Sequence, residues 1–275
     1  MKKKKWKHAS ERWLSERAGK KSIGTDRSML FWINTRWKDR LLEEVTAKSV
    51  RKLAEEKKAE TSASTANRTL ALIKALLRAS VEWGWLDRVP PIKLYPLDNR
   101  RVRWLTREEA RKLIGHLPED LKPMVLFSLA TGLRRSNVFA LEWSQVDLAR
   151  NVAWIHGEQS KSGKPIGVPL NETAGAVLKK QKGQSEVFVF PDKNGKARNR
   201  LADRAWRKAL RAAGIENFRW HDLRHTWASW HVQSGTPIPV LQELGGWHSY
   251  AMVLRYAHLA PEHLAKWAGN SGISL

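Results

Sequence analysis

The sequence predicts a mainly α-helical protein with one small β-sheet, an α+β chain in two domains. Three observations carry this. Residues 28–82 follow a helical pattern of apolar spacing, and helical segments resume after residue 106; residues 151–170 read instead as two short strands about a turn; a basic segment with three prolines separates the blocks. With 275 residues, 42% of them hydrophobic, the chain is long enough to bury one or two ordinary cores.

The first helix is expected over residues 28–42, with Phe31, Trp32, Ile33 and Trp37, and a second over 49–58. The third is the clearest: Leu70, Leu72, Ile73, Leu76 and Leu77 give residues 64–83 a wide apolar face, and Gly84 and Asp87 stop it. Residues 88–103, RVPPIKLYPLDNRRVR, cannot continue a helix through Pro90, Pro91 and Pro96, and read as an extended basic linker near residues 90–103. The domains are therefore expected at 1–97, which is helical, and 98–275. Thr106-Arg-Glu-Glu109 opens the second domain as a capping box, in which Thr106 caps a helix and Glu109 reaches back to it.

Beyond the box, residues 124–130 read as an apolar helix and 138–141 as a short one. Residues 151–156 and 166–170 are strand-like and flank the turn at 160–164, so they form a hairpin. Helices are then expected at 172–181, 198–213, 222–234, 237–244 and 251–258. No internal repeat is evident.

Composition narrows the partners. There are 50 Lys and Arg against 27 Asp and Glu, a net charge of +23 and a pI near 10.5. Residues 1–99 hold 23 of the basic and 12 of the acidic groups, so both halves are basic rather than one terminal tail. Such a field attracts polyanions, chiefly nucleic acid, with a membrane surface as the other candidate. The absence of cysteine removes disulfides and thiolate metal sites. No apolar run is long enough to span a membrane, and MKKKKWKHASERW lacks the apolar centre of a signal peptide, so a cytoplasmic, nucleoid-associated protein is expected.

Breaking a phosphodiester through a covalent intermediate needs a nucleophile, cations for the phosphorane and an acid for the leaving oxygen. Three tyrosines are present, Tyr95, Tyr250 and Tyr256. Tyr95 lies in the proline segment, away from the other motifs, and local chemistry does not rank Tyr250 against Tyr256. Arg134 follows Thr131-Gly132-Leu133, where glycine permits a sharp turn after a helix. A guanidinium fork matches two phosphate oxygens, although an arginine near a glycine is commonly a surface ion-pair partner. His221 and Arg224, three residues apart, share a helix face. Lys161 occupies the hairpin turn, where a solvated lysine is the plainer reading and a phosphate-reaching ammonium the sharper one.

These boxes resemble a known family. ATGLRRSNVFALEW (130–143), HDLRHT (221–226) and LGGWHSYAMVLRYAH (244–258) are similar, in order and spacing, to the signature blocks of the tyrosine recombinases of the phage integrase family, and the resemblance covers nearly the whole length. It implies an N-terminal helical core-binding domain and a C-terminal catalytic domain, closing as a C-shaped clamp on DNA. It implies further that Arg134 and Arg224 hold the scissile phosphate, that His221 assists proton transfer and that Lys161 is the general acid. In the family a His or Trp precedes the nucleophile by nine residues; Trp247 meets that count with Tyr256, which ranks Tyr256 above Tyr250 and leaves His248 as a neighbour of the phosphate.

The implied reaction is attack by Tyr256 to give a 3′-phosphotyrosine, followed by strand exchange through a Holliday junction, without metal or other cofactor. The implied partners are duplex DNA, a homotetramer on two DNA sites and accessory DNA-bending proteins. A catalytically inactive DNA-binding protein of the same fold and a type IB topoisomerase are the alternatives. Two departures stand out. Asn137 occupies a position where many relatives have a carboxylate, and only about 27 residues, opening with four lysines, precede the first expected helix, so a separate arm-site domain is not expected. The tail at 261–268 is read as a helix that docks on a neighbouring protomer or on its own domain.

Overall fold

A computed structural model describes residues 3–97, 103–160 and 163–259. The chain divides into two compact units, residues 1–99 and 100–275.

The first unit is helical: α1 (Trp6–Glu16), α2 (Ile23–Trp37), α3 (Ala47–Glu60) and α4 (Ala63–Glu82). The periodic face of α4 is its core, with Leu70, Ile73, Leu76 and Leu77 at most 1% exposed. Helix α1, which the sequence reading did not assign, buries Trp6 edge-on against Trp37, ring centres 5.2 Å apart. Its start is fixed by a bridge between Lys5 and Leu41. Helix α2 begins and ends five residues earlier than the spacing suggests. Asp26, in its first turn, is buried and accepts from Trp13 Nε1 at 3.0 Å and Lys20 at 2.8 Å, an anchor on α1 that pattern alone does not reveal. Thr46 and Ser62 cap α3 and α4 through their hydroxyls. The proline segment is tied back to α4: the Asn67 side chain accepts from Tyr95 N at 2.8 Å and donates to Tyr95 O at 2.9 Å.

The second unit opens with the expected capping box. Thr106 Oγ1 accepts from Glu109 N at 3.1 Å, Glu109 accepts from Thr106 N at 2.8 Å, and α5 (Arg107–His116) follows. Next come α6 (Lys122–Thr131) and the short α7 (Arg135–Phe139). The hairpin is β2 (Val152–Ile155) against β3 (Ile166–Pro169), with Ala153 opposite Val168; a two-residue edge strand, β1 (Val146–Asp147), adds to β2, giving antiparallel order β1-β2-β3. Ala153, Ile155, Ile166 and Val168 face the core.

Helix α8 (Glu172–Gln181) falls where expected. Helix α9 (Asp203–Ala212) starts five residues late, because Arg198 N donates to Phe139 O and its guanidinium to Asp120 and Pro191 O, holding 198 in a loop. Helix α10 (Asp222–Gln233) is the spine of the unit, with nine of its twelve residues buried. Thr226 accepts from Leu105 N at 3.1 Å and Trp230 Nε1 donates to Leu105 O at 2.9 Å, so α10 satisfies both polar groups of a buried backbone unit. Helices α11 (Ile238–Gly245) and α12 (Ala251–Leu254) close the described chain. The eight-residue helix expected at 251–258 breaks at Leu254: Tyr256 N bonds Val253 O, three residues back, and this tighter turn redirects the phenol inward. No helix among the described residues is long and apolar enough to cross a membrane.

Candidate active site

Helix α10 presents His221, Arg224 and His225 within one turn and a residue. Arg224 is buried, and its guanidinium donates to Gly132 O at 2.7 Å and to Gly245 O. Both acceptors belong to glycines at the C-terminal ends of helices, where carbonyls lack intrahelical partners. The guanidinium is therefore fixed by α6 and α11, and three of its five N–H groups donate to no atom of the described residues. Burial, then the nearby Arg134, push Arg224 down to about 9, which leaves it a cation at neutral pH.

Those glycines are required by packing. Gly132 has φ +63°, and a Cβ there would stand 2.3 Å from the Trp227 ring; a Cβ on Gly245 would stand 1.9 Å from the Trp247 ring. The Trp247 ring lies beside Arg224, whose Cζ is 4.1 Å from its centre. Trp227, Trp247 and Tyr256 then form one buried cluster with Leu241 and Val253.

Tyr256 is 1% exposed. Its hydroxyl lies 2.6 Å from Nδ1 of His225, and its ring centre 6.0 Å from that of Trp247. Burial pushes the phenol up to about 12 against the opposing pull of Arg224 and Arg255. Tyr250, at the start of α12, is 47% exposed instead. His221 meets His225 edge-on with ring centres 5.2 Å apart, and burial, followed by Arg224, holds its imidazole below the ordinary value.

Arg134 precedes α7 in extended backbone, half-buried, and burial lowers its pKa. Its carbonyl accepts from Asn137 N and Val138 N, but among the described residues its guanidinium forms no hydrogen bond or ion pair. It borders two clefts: one of about 690 Å³ also lined by Arg135, Arg207, Arg219 and His221, and one of about 810 Å³ also lined by Lys164, Trp247 and His248. Arg134, His221, Arg224, Trp247, Tyr256 and His248 thus gather in one region of the second unit. Lys161 lies outside the described residues, as does the tail at 261–268. Asn137 is buried, its Oδ1 accepting from Ser136 at 3.2 Å.

His225 is the residue that sequence reasoning passed over. Its signal was present, since i and i+4 place it on the His221 face of α10, but nothing local linked it to a tyrosine 31 positions away. The glycine carbonyls that seat Arg224 carry no side-chain signal at all.

Fold and site together define a basic, mainly helical protein with a tyrosine buried among guanidinium and imidazole groups. Residues 103–263 match the model of the phage integrase family. The chain is 46% identical over 300 aligned positions to the integrase of Salmonella phage P22, covering 94% of this chain and 78% of that protein. The chain belongs to the phage integrase family. By structure it resembles the Tn1549 transposon integrase in complex with a circular intermediate DNA, with a TM-score of 0.81 at 16% identity over 96% of this chain and 98% of that one. It likewise resembles the lambda integrase tetramer bound to a Holliday junction, with a TM-score of 0.77 at 20% identity over 99% of this chain and 81% of that one. At those identities the likeness is one of fold.

Proposed function

We propose that the chain is a site-specific DNA recombinase in which Tyr256 is the nucleophile. The observation that carries the reading is a buried phenol under the field of Arg224, whose own neighbour Arg134 lines a strongly basic cleft. Family membership supports the same chemistry.

In the proposed reaction Tyr256 Oη bonds to phosphorus as the P–O5′ bond breaks, leaving a 3′-phosphotyrosine and a free 5′ hydroxyl. Arg134 and the three remaining N–H groups of Arg224 hold the non-bridging oxygens and neutralise the phosphorane. Trp247 keeps Arg224 in place, Lys161 protonates the departing oxygen, His221 assists proton movement and His248 adds a contact at the rim. A 5′ hydroxyl from a partner strand then attacks the phosphotyrosine, so the phosphodiester bond energy is kept in the protein link.

Both units are net basic, which suits duplex DNA as the substrate of the whole chain, with residues 1–97 as its helical DNA-binding domain and 98–275 as its catalytic one. Exchange between two duplexes needs four active sites, so a homotetramer on DNA is the proposed working form, aided by accessory DNA-bending proteins. Such a protein works in the cytoplasm, at the nucleoid.

The deciding experiment uses duplexes selected from a random pool by covalent capture on the wild-type chain, then nicked beside the cleavage point to trap the adduct. Wild type is expected to yield a protein–DNA adduct, and Tyr256→Phe none. Failure of wild type to form any adduct leaves only a DNA-binding protein of this fold. Adduct formation with plasmid relaxation but no strand exchange points to a topoisomerase.

A further inference from the structure

We infer that His225 takes the proton from Tyr256 as the phenol attacks phosphorus, making it a further residue of the reacting centre. This rests on the proposed role of Tyr256. At 2.6 Å, Nδ1 of His225 is the closest polar contact of the phenol oxygen, and a phenol has a single hydrogen to give. Tyr256 is 1% exposed, so bulk water does not serve as its base, and the acceptor must come from the protein. Burial keeps the phenol protonated at neutral pH, and the His225 tautomer with Nδ1 unprotonated accepts its hydrogen across this short contact.

His221 does not occupy that position. Its ring touches the edge of His225 rather than the hydroxyl, which makes it the next group along and not the first. The charged groups acting on the phenol and on His221 are Arg224, Arg255, Arg134 and Asp222. Among them Asp222 is the one anion, so a proton arriving on His225 sits in a cationic field. The negative charge that develops on the phosphorane offsets that field as the proton moves. The step balances: Oη–P forms, the Oη proton passes to Nδ1, P–O5′ breaks, and the leaving oxygen takes a proton from the general acid.

The test measures single-turnover adduct formation on the captured, nicked duplex. His225→Asn keeps a hydrogen-bond acceptor but has no basicity, and is expected to slow adduct formation about a hundredfold while duplex affinity is retained. Installing a fluorinated, more acidic tyrosine at position 256 is expected to restore most of that loss. A 5′-bridging phosphorothiolate, which relieves only the leaving group, is expected not to.

Adduct formation by His225→Asn at the wild-type rate overturns the proposal, as does rescue by the phosphorothiolate alone. If the variant does not fold, nitrogen NMR of the wild-type His225 ring decides. Nδ1 unprotonated at neutral pH and perturbed by Tyr256→Phe supports the assignment; Nδ1 carrying the ring proton refutes it. An absence of adduct from wild type would overturn the role of Tyr256 itself, a separate failure.

Discussion

The guanidinium carbon of Arg224 stands 4.1 Å from the centre of the Trp247 ring, and the same guanidinium donates to the carbonyl of Gly245, two residues before that tryptophan. The end of α11 thus seats the arginine twice, through its last carbonyl and through the indole that folds back over it. The indole can do so only because residue 245 has no Cβ. Trp247 is therefore chiefly a surface that orients Arg224.

Gly132→Ala tests the matching seat on α6. An alanine there needs φ near +63° and meets the Trp227 ring at 2.3 Å. Left-handed strain of about 1 kcal/mol and overpacking of about 1–3 kcal/mol lead us to expect a loss of roughly 2–4 kcal/mol in urea unfolding. Because Gly132 O holds Arg224, adduct formation is expected to fall in protein that remains folded.

The two arginines are expected to separate stability from chemistry. Arg224→Ala leaves two buried carbonyls without a donor and should cost about 2–4 kcal/mol in urea unfolding. Arg134→Ala breaks no hydrogen bond among the described residues and should stay within about 0.5 kcal/mol of wild type. Both should lower adduct formation by about a hundredfold or more. An Arg134→Ala variant that cleaves normally would remove Arg134 from the phosphate site.

Much of this arrangement was legible in the sequence, for reasons tied to particular residues. The Thr106–Glu109 box, the α4 stripe and the hairpin strands are local patterns, and local physics decides them. The family resemblance, through its nine-residue interval from Trp247, points to Tyr256, which the fold buries in one cluster with Trp247. What escaped notice depends on partners distant in sequence: α2 is set by Asp26 against Trp13, α9 is delayed by Arg198 reaching Asp120, and His225 is matched to a tyrosine two elements later. Tertiary contacts such as these shift helix ends by five residues, and the packing of Trp6 on Trp37 adds a helix, α1, that local pattern does not announce.

The phenol supplies a pH signature. A folded-state value near 12 against an ordinary 10 means the native state holds the Tyr256 proton more tightly than the unfolded chain. The resulting stability, about 2–3 kcal/mol, is complete below pH 10 and disappears as pH rises towards 12. Unfolding free energies measured for wild type and Tyr256→Phe should therefore differ in slope across that window. Parallel curves would show that the phenol is not buried as described.

Trp230→Phe examines the join between α10 and the start of the second unit. Phenylalanine keeps a ring for Arg107, whose Cζ is 3.8 Å from the indole centre, but has no N–H for Leu105 O. A loss of about 1–2 kcal/mol in thermal or urea unfolding is expected, with adduct chemistry little changed.

Arg134 disfavours the charge of the buried Arg224. Folding confines two like charges that an unfolded chain would let drift apart, and the native state carries that repulsion. On the proposed reading a phosphodiester that meets both cations would cancel it, so tight DNA binding and resistance to unfolding would draw on the same free energy. On that reading the protein would be at its most stable when engaged on DNA.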